Sequence, residues 1–158
     1  MSTFVLAKFL HIASVIAFVA FHAVSMVVLY RIRRERDRKK ILDLVTLSGE
    51  TTLPMYVSLL AIVLSGVFAA FRYSAWGRVW LWVAIVLLVL VVGLMTAVAK
   101  PYFERIKAAC EVRPSGVPRV SDEELAQVVG GRTAHVIAGI GVGGLVAILY
   151  LMVAKPWT

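Results

Sequence analysis

Five ionisable side chains sit in or beside apolar stretches: Lys8, His11 and His22 within LAKFLHIASVIAFVAFHAVSMVVLY, Glu50 just ahead of a second run, and His135 at the start of a fourth. Imidazole exchanges protons near neutral pH and is the commonest nitrogen ligand of metals, so the histidines are the first candidates for chemistry. His11 and His22 are eleven residues apart, which in a helix is about three turns, roughly 20° of rotation and about 16 Å of rise. They share a face but cannot share a ligand, and a single zinc or iron ion between them is excluded by distance. The spacing suits two separate sites at different depths, each offering an axial donor to a b-type haem in an apolar slot between helices. A proton-coupled carrier using His22, Glu50 and His135 is another use of the same groups. The plainest is structural: an inward histidine can bond a serine, threonine or carbonyl across a bundle, with a net gain of about 0.6 to 2 kcal/mol. Lys8, near one end of its run, can snorkel to the interface.

Other chemistries have less support. No serine or cysteine accompanies a histidine and a carboxylate in a hydrolytic arrangement, so no catalytic residue is assigned. A transporter would be expected to show paired carboxylates, an inverted repeat or a helix broken at the midplane, and none is evident. The lone Cys110 excludes an intramolecular disulfide and any zinc-finger spacing.

The elements that must position these groups follow from composition. Of 158 residues, 61% are hydrophobic and the mean hydropathy is +0.89, well above the roughly 45–50% apolar share of soluble chains. The chain is an integral membrane protein. Its formal charge of +8 would suggest nucleic acid in a soluble protein, but here the basic residues flank apolar runs and instead orient the chain in the bilayer. Four runs reach the length of about 20 residues that a helical span requires: 4–30, 53–71, 79–99 and 134–154. The first is too long for a signal peptide and is followed at once by RIRRERDRKK, a stop-transfer pattern, so it is expected to be retained.

Loop charges set the expected topology. The first and third loops carry most of the arginines and lysines, whereas the second, RYSAWGR, carries Arg72 and Arg78. By the positive-inside rule loops one and three are cytoplasmic and both termini are outside, in a bacterial plasma membrane. The expected fold is all-α, a single four-helix transmembrane bundle over residues 1–158. ILDLVTLSGETTL continues at helical spacing into the second span with a bend at Gly49 or Pro54, and Ser121 with Glu124 forms a capping box for a short helix ending at Gly130 and Gly131.

Helical periodicity gathers Lys8, His11, Ser14, His22 and Ser25, interleaved with Phe4, Ala7 and Phe18, into one stripe on the first span, which should face the other helices because polar groups in lipid are costly. On the second span Glu50 and Thr51 lead into Ser58, Ala61, Ser65 and Ala69, a small ridge suited to close packing. The fourth presents His135, Gly139, Gly143, Ala147 and Tyr150 together, with a GxxxG step as its packing face, and Tyr150 is placed to approach His11. Glu50 could pair with His135 or Arg132. The third span is polar only at Thr96 and is expected to be the most lipid-exposed. GIGVGG formally matches GxGxxG, but it lies inside an apolar helix with no preceding strand, so close packing is the better account.

KFLHI at the start, AKPYFERI after the third span and LYLMVAKPW at the end resemble small bacterial four-helix families of predicted integral membrane proteins of unknown function. The LHI step is more distantly similar to membrane proteins of the CopD type and to membrane-bound protoporphyrinogen oxidases of the HemJ type. The latter resemblance implies haem ligation by His11. Those oxidases complete the site with a lysine on a later helix, whereas the third span here has none before Lys100, so porphyrinogen oxidation is not implied. Copper transport lacks its methionine and cysteine clusters. The reading that results is a non-enzymatic accessory component, with the bilayer and a homodimer or larger membrane complex as partners and no nucleic acid; haem b at His11 or His22 is the alternative.

Overall fold

A computed structural model describes residues 3–157, the side chain of Phe4 excepted. The helices are α1 (Thr3–Ile32), α2 (Arg38–Glu50), α3 (Thr52–Arg72), α4 (Val79–Cys110), α5 (Asp122–Gly130) and α6 (Thr133–Ala154), with a single 3-10 turn at Ala75–Gly77 between α3 and α4. Four stretches are long and apolar enough to cross a membrane: α1, α2 with α3, α4, and α5 with α6. Helices are the expected solution, because backbone polar groups in hydrocarbon must be satisfied within the segment. Among the described residues the only β feature is an isolated bridge between Val112 and Pro118.

Proline chemistry explains the joint between α2 and α3. Pro54 has no amide hydrogen to give to the carbonyl of Glu50, so the helix stops at Glu50 and restarts when the Met55 amide bonds Thr51 at 3.1 Å. The hydroxyls of Thr51 and Thr52 both donate to the Ser48 carbonyl, at 2.9 and 3.2 Å, and close the exposed end of α2. Asp37 caps the start of α2 by accepting from the Lys39 and Lys40 amides at 2.9 and 3.3 Å. The expected capping box is present, with Ser121 accepting from the Glu124 amide at 3.1 Å and Glu124 accepting from the Ser121 amide at 2.9 Å. The third span extends further than its apolar run, since α4 carries Pro101 internally and continues past Ala99 to Cys110.

The spans pack as pairs, α1 along α3 and α4 along α6, and α2 bridges α1 and α4 at the end carrying the first and third connections. That basic end holds the main core: Leu29 and Ile32 of α1, Ile41 and Val45 of α2, Tyr102 and Ile106 of α4, Leu125 and Val129 of α5, and Ala134 and Ile137 of α6. A smaller cluster of Ala70, Ala75, Trp80 and Leu81 closes the opposite end. There Lys155, in a left-handed conformation after α6, lies 5.8 Å from the Tyr73 ring centroid and 5.9 Å from that of Trp80. The third span is therefore less of a lipid-facing outlier than its composition suggests. Gly144 leaves a notch in α6 that the Val91 side chain fills, and a Cβ at that glycine would run into it.

Candidate functional site

The polar stripe of α1 does face inward. Ser14, Phe18, His22 and Ser25 are all shielded to some degree and Ala7 is buried, whereas Lys8 is exposed; the Phe4 side chain, expected in the stripe, lies outside the described residues. His11 Nδ1 lies 3.1 Å from the Ile62 carbonyl and 3.0 Å from Ser65 Oγ. A carbonyl only accepts, so Nδ1 carries the proton, and Ser65 can receive from it because its own hydroxyl donates to Ala61 O at 2.5 Å. This tautomer leaves the lone pair on Nε2. Nearer the basic end, Ser48 donates to Ser25 at 2.9 Å and ties α2 to α1.

His22 is held differently. Its ring stacks on Phe18 with centroids 5.8 Å apart and planes 8° from parallel. Its Nε2 is buried and has no hydrogen-bond partner. The atom faces α6 at a position with no side chain: a Cβ on Gly141 would stand 2.8 Å from Nε2 and 3.3 Å from Cε1. Gly66 of α3 plays the same part for His11, with 3.2 Å from an added Cβ to Cε1. Each imidazole is a knob received by a glycine on the facing helix.

That close fit bears on the cofactor. A haem iron at His22 would need the space beside Nε2 that α6 already occupies, whereas at His11 the donation from Nδ1 to α3 leaves Nε2 as the free ring nitrogen, the form in which a histidine ligates iron. As packed, the residues beside His22 do not fit a haem. The carrier set is not brought together either: Glu50 and His135 are exposed, on separate helices from buried His22 Nε2, and neither is hydrogen-bonded to the other. The expected pairing of Glu50 with His135 or Arg132 does not form: Glu50 is exposed at the last residue of α2, and Arg132 and His135 are exposed at the start of α6. His135 instead stands 6.2 Å from the Tyr30 ring. Among the described residues no group of three histidines, cysteines or carboxylates could hold a metal ion.

The packing ridge of the second span is where periodicity put it: Ser58 is buried and Ala61, Ser65 and Ala69 are partly so. The fourth helix is turned relative to expectation. Its inward face is Ala134, Ile137, Ala138, Gly141, Gly144 and Leu151, whereas Gly139, Gly143 and Tyr150 are exposed and Ala147 lies at the edge. Tyr150 accordingly faces outward. The helix has glycines on two sides, and charge or hydropathy gives no means of choosing between them.

Two working residues were hidden in a run of like charge. Arg38 donates to the Ala109 carbonyl at 2.6 Å, to Val120 O at 2.9 Å and to Asp122 at 2.7 Å, satisfying the end of α4 and fixing the loop before α5. Arg33 donates to Gly131 O at 2.7 Å, at the end of α5, while Tyr102 gives its hydroxyl proton to Val129 O at 3.0 Å. In the sequence these arginines look like their neighbours; only the position of the carbonyls distinguishes them.

Apolar spans, self-satisfied backbone and a polar inter-helix seam define a multi-pass integral membrane protein whose four crossings are helical. The family described as predicted integral membrane protein, DUF2269, matches residues 5–156, and the chain belongs to it. No curated relative and no solved structure matches the chain.

Proposed function

We propose that the protein is a non-enzymatic association component of the bacterial plasma membrane, joining a second copy or a larger membrane complex through the outward face of α6. The observation that carries this reading is the pair Gly139 and Gly143, four residues apart, exposed, and with no atom within 4 Å of where a Cβ would stand. A small-xxx-small step lets two helix backbones approach and is a recurrent basis of association in lipid. The interior uses the two other glycines of α6, Gly141 and Gly144. Exposed His135 lies one turn before Gly139, and a polar ring facing hydrocarbon or its boundary gains from a protein partner.

A cysteine at Val146, an exposed position one turn past the glycines, tests the reading in native membranes. Val146→Cys should form disulfide-linked dimers or a discrete cross-linked complex, and Gly143→Leu in the same chain should reduce that yield several-fold. A solitary monomer, or cross-linking indifferent to Gly143→Leu, would overturn the proposal. Because a side chain at Gly143 meets nothing within the chain, that variant separates lost association from lost folding.

A further inference from the structure

The arginines of the first connection divide into two sets. Arg33 and Arg38 are spent on carbonyls inside the molecule, whereas Arg31 and Arg34 are exposed and, among the described residues, make no ion pair. Those free guanidiniums line an open groove of about 550 Å³ along the end of α1 and the turn after it, together with Met26, Val27, Tyr30 and Glu35. From Met26 to Arg31 the helical rise is about 7.5 Å, and Arg34 follows in the turn after α1, so the lining runs from the apolar part of the first span out to its charged end. Met26 and Val27 are hydrocarbon-like, Tyr30 is an interfacial residue type, and the arginines come last. This order matches the order of chemistry in a lipid leaflet, from acyl chain through glycerol to phosphate.

The groove keeps a net positive charge, with two guanidiniums against one carboxylate. Glu35 is the one carboxylate in its wall, and its Oε1 accepts from the amides of Arg36 at 2.9 Å and Asp37 at 3.1 Å, not from either guanidinium. Those amides hold the Glu35 carboxyl below its usual range, so it stays an acceptor tied to its own turn. Tyr30 packs against His135, the ring centroids 6.2 Å apart, so α6 supports the tyrosine wall.

We propose that this groove binds an anionic phospholipid of the adjoining leaflet, with Arg31 and Arg34 taking the phosphate and Met26 and Val27 lying along the upper acyl chain. Guanidinium presents paired donors that match phosphate oxygens, and basic pockets beside membrane helices on the cytoplasmic side are recurrent lipid headgroup sites. The inference rests on insertion in the bilayer and is independent of association through α6.

The test uses the full chain in nanodiscs of mixed phosphatidylglycerol and phosphatidylcholine, with the lipid retained after gentle detergent release counted by native mass spectrometry. Wild type should retain phosphatidylglycerol preferentially, and Arg31→Gln with Arg34→Gln should lower that retention about tenfold, as expected for losing roughly 1.4 kcal/mol of binding. Arg105→Gln with Arg113→Gln removes the same formal charge elsewhere and should leave retention unchanged. An equal loss in that control, or equal retention of the zwitterionic lipid by wild type, would overturn the proposal. Displacement of the lipid by excess glycerol phosphate would also overturn it, by assigning the site to a soluble phosphate. Thermal unfolding of the double variant should match wild type because both side chains are exposed; if it does not, Arg34→Gln alone is read.

Discussion

Arg38 reaches three acceptors on two segments, and its side chain is only 14% exposed while that of its partner Asp122 is 84% exposed. The carbonyls of Ala109 and Val120 therefore matter more than the ion pair, since an exposed carboxylate adds about 0–1 kcal/mol. Arg38→Ala leaves the Ala109 and Val120 carbonyls without their charged donor and should lower stability by about 2 kcal/mol. Asp122→Asn should lower it by less than about 1 kcal/mol. Thermal unfolding in detergent distinguishes the two; equal effects would mean that the salt bridge dominates. The histidines show the same dependence on surroundings. His11 and His22 share residue type, helix and face, yet one spends Nδ1 on α3 and the other buries Nε2 against a glycine with no donor or acceptor in reach.

At the scale of the element, α6 decides which pairs of helices can approach. Its run GIGVGG places Gly141 and Gly144 against His22 and Val91, and Gly139 and Gly143 outward. Gly144→Ala should cost about 1–3 kcal/mol through overpacking, since its methyl would meet a β-branched valine that cannot turn aside easily. Gly143→Ala should change stability by no more than about 1 kcal/mol, from helix propensity alone. Unfolding by denaturing detergent provides the comparison. If both substitutions are equally harmless, the α4 to α6 seam is looser than the Val91 notch implies. The α2 to α3 joint was legible at this scale because proline acts locally. Its placement at Thr51, between the two bend positions expected, follows from which carbonyl Pro54 fails to serve.

At the scale of the molecule, burial is concentrated at the basic end, where α2 and α5 cover the ends of the spans, and at a small aromatic cap on the other side. By the positive-inside rule, the positive charge on the first and third connections predicts a cytoplasmic basic end. Cysteines at Gly77 and Ser115, both exposed, should then label from opposite sides: Gly77→Cys with an impermeant maleimide on intact cells, Ser115→Cys only after permeabilisation. Cys110 is buried and should contribute little background. Labelling of Ser115→Cys on intact cells would invert the topology and move the proposed lipid site to the other leaflet.

Span number, the inward stripe of α1, the small ridge of α3 and the capping box were determined by sequence alone. They depend on local sums and spacings: about 20 apolar residues cross a bilayer, polar groups avoid lipid, and Ser-x-x-Glu caps itself. The working face of α6, the use of Arg33 and Arg38, and the dispersal of Glu50, His22 and His135 were decided only by tertiary structure. In a membrane both the interior and the surroundings of a helix are apolar, so hydropathy cannot say which of two glycine faces turns inward. That choice belongs to the shapes opposite, a histidine at one level and a valine at the next.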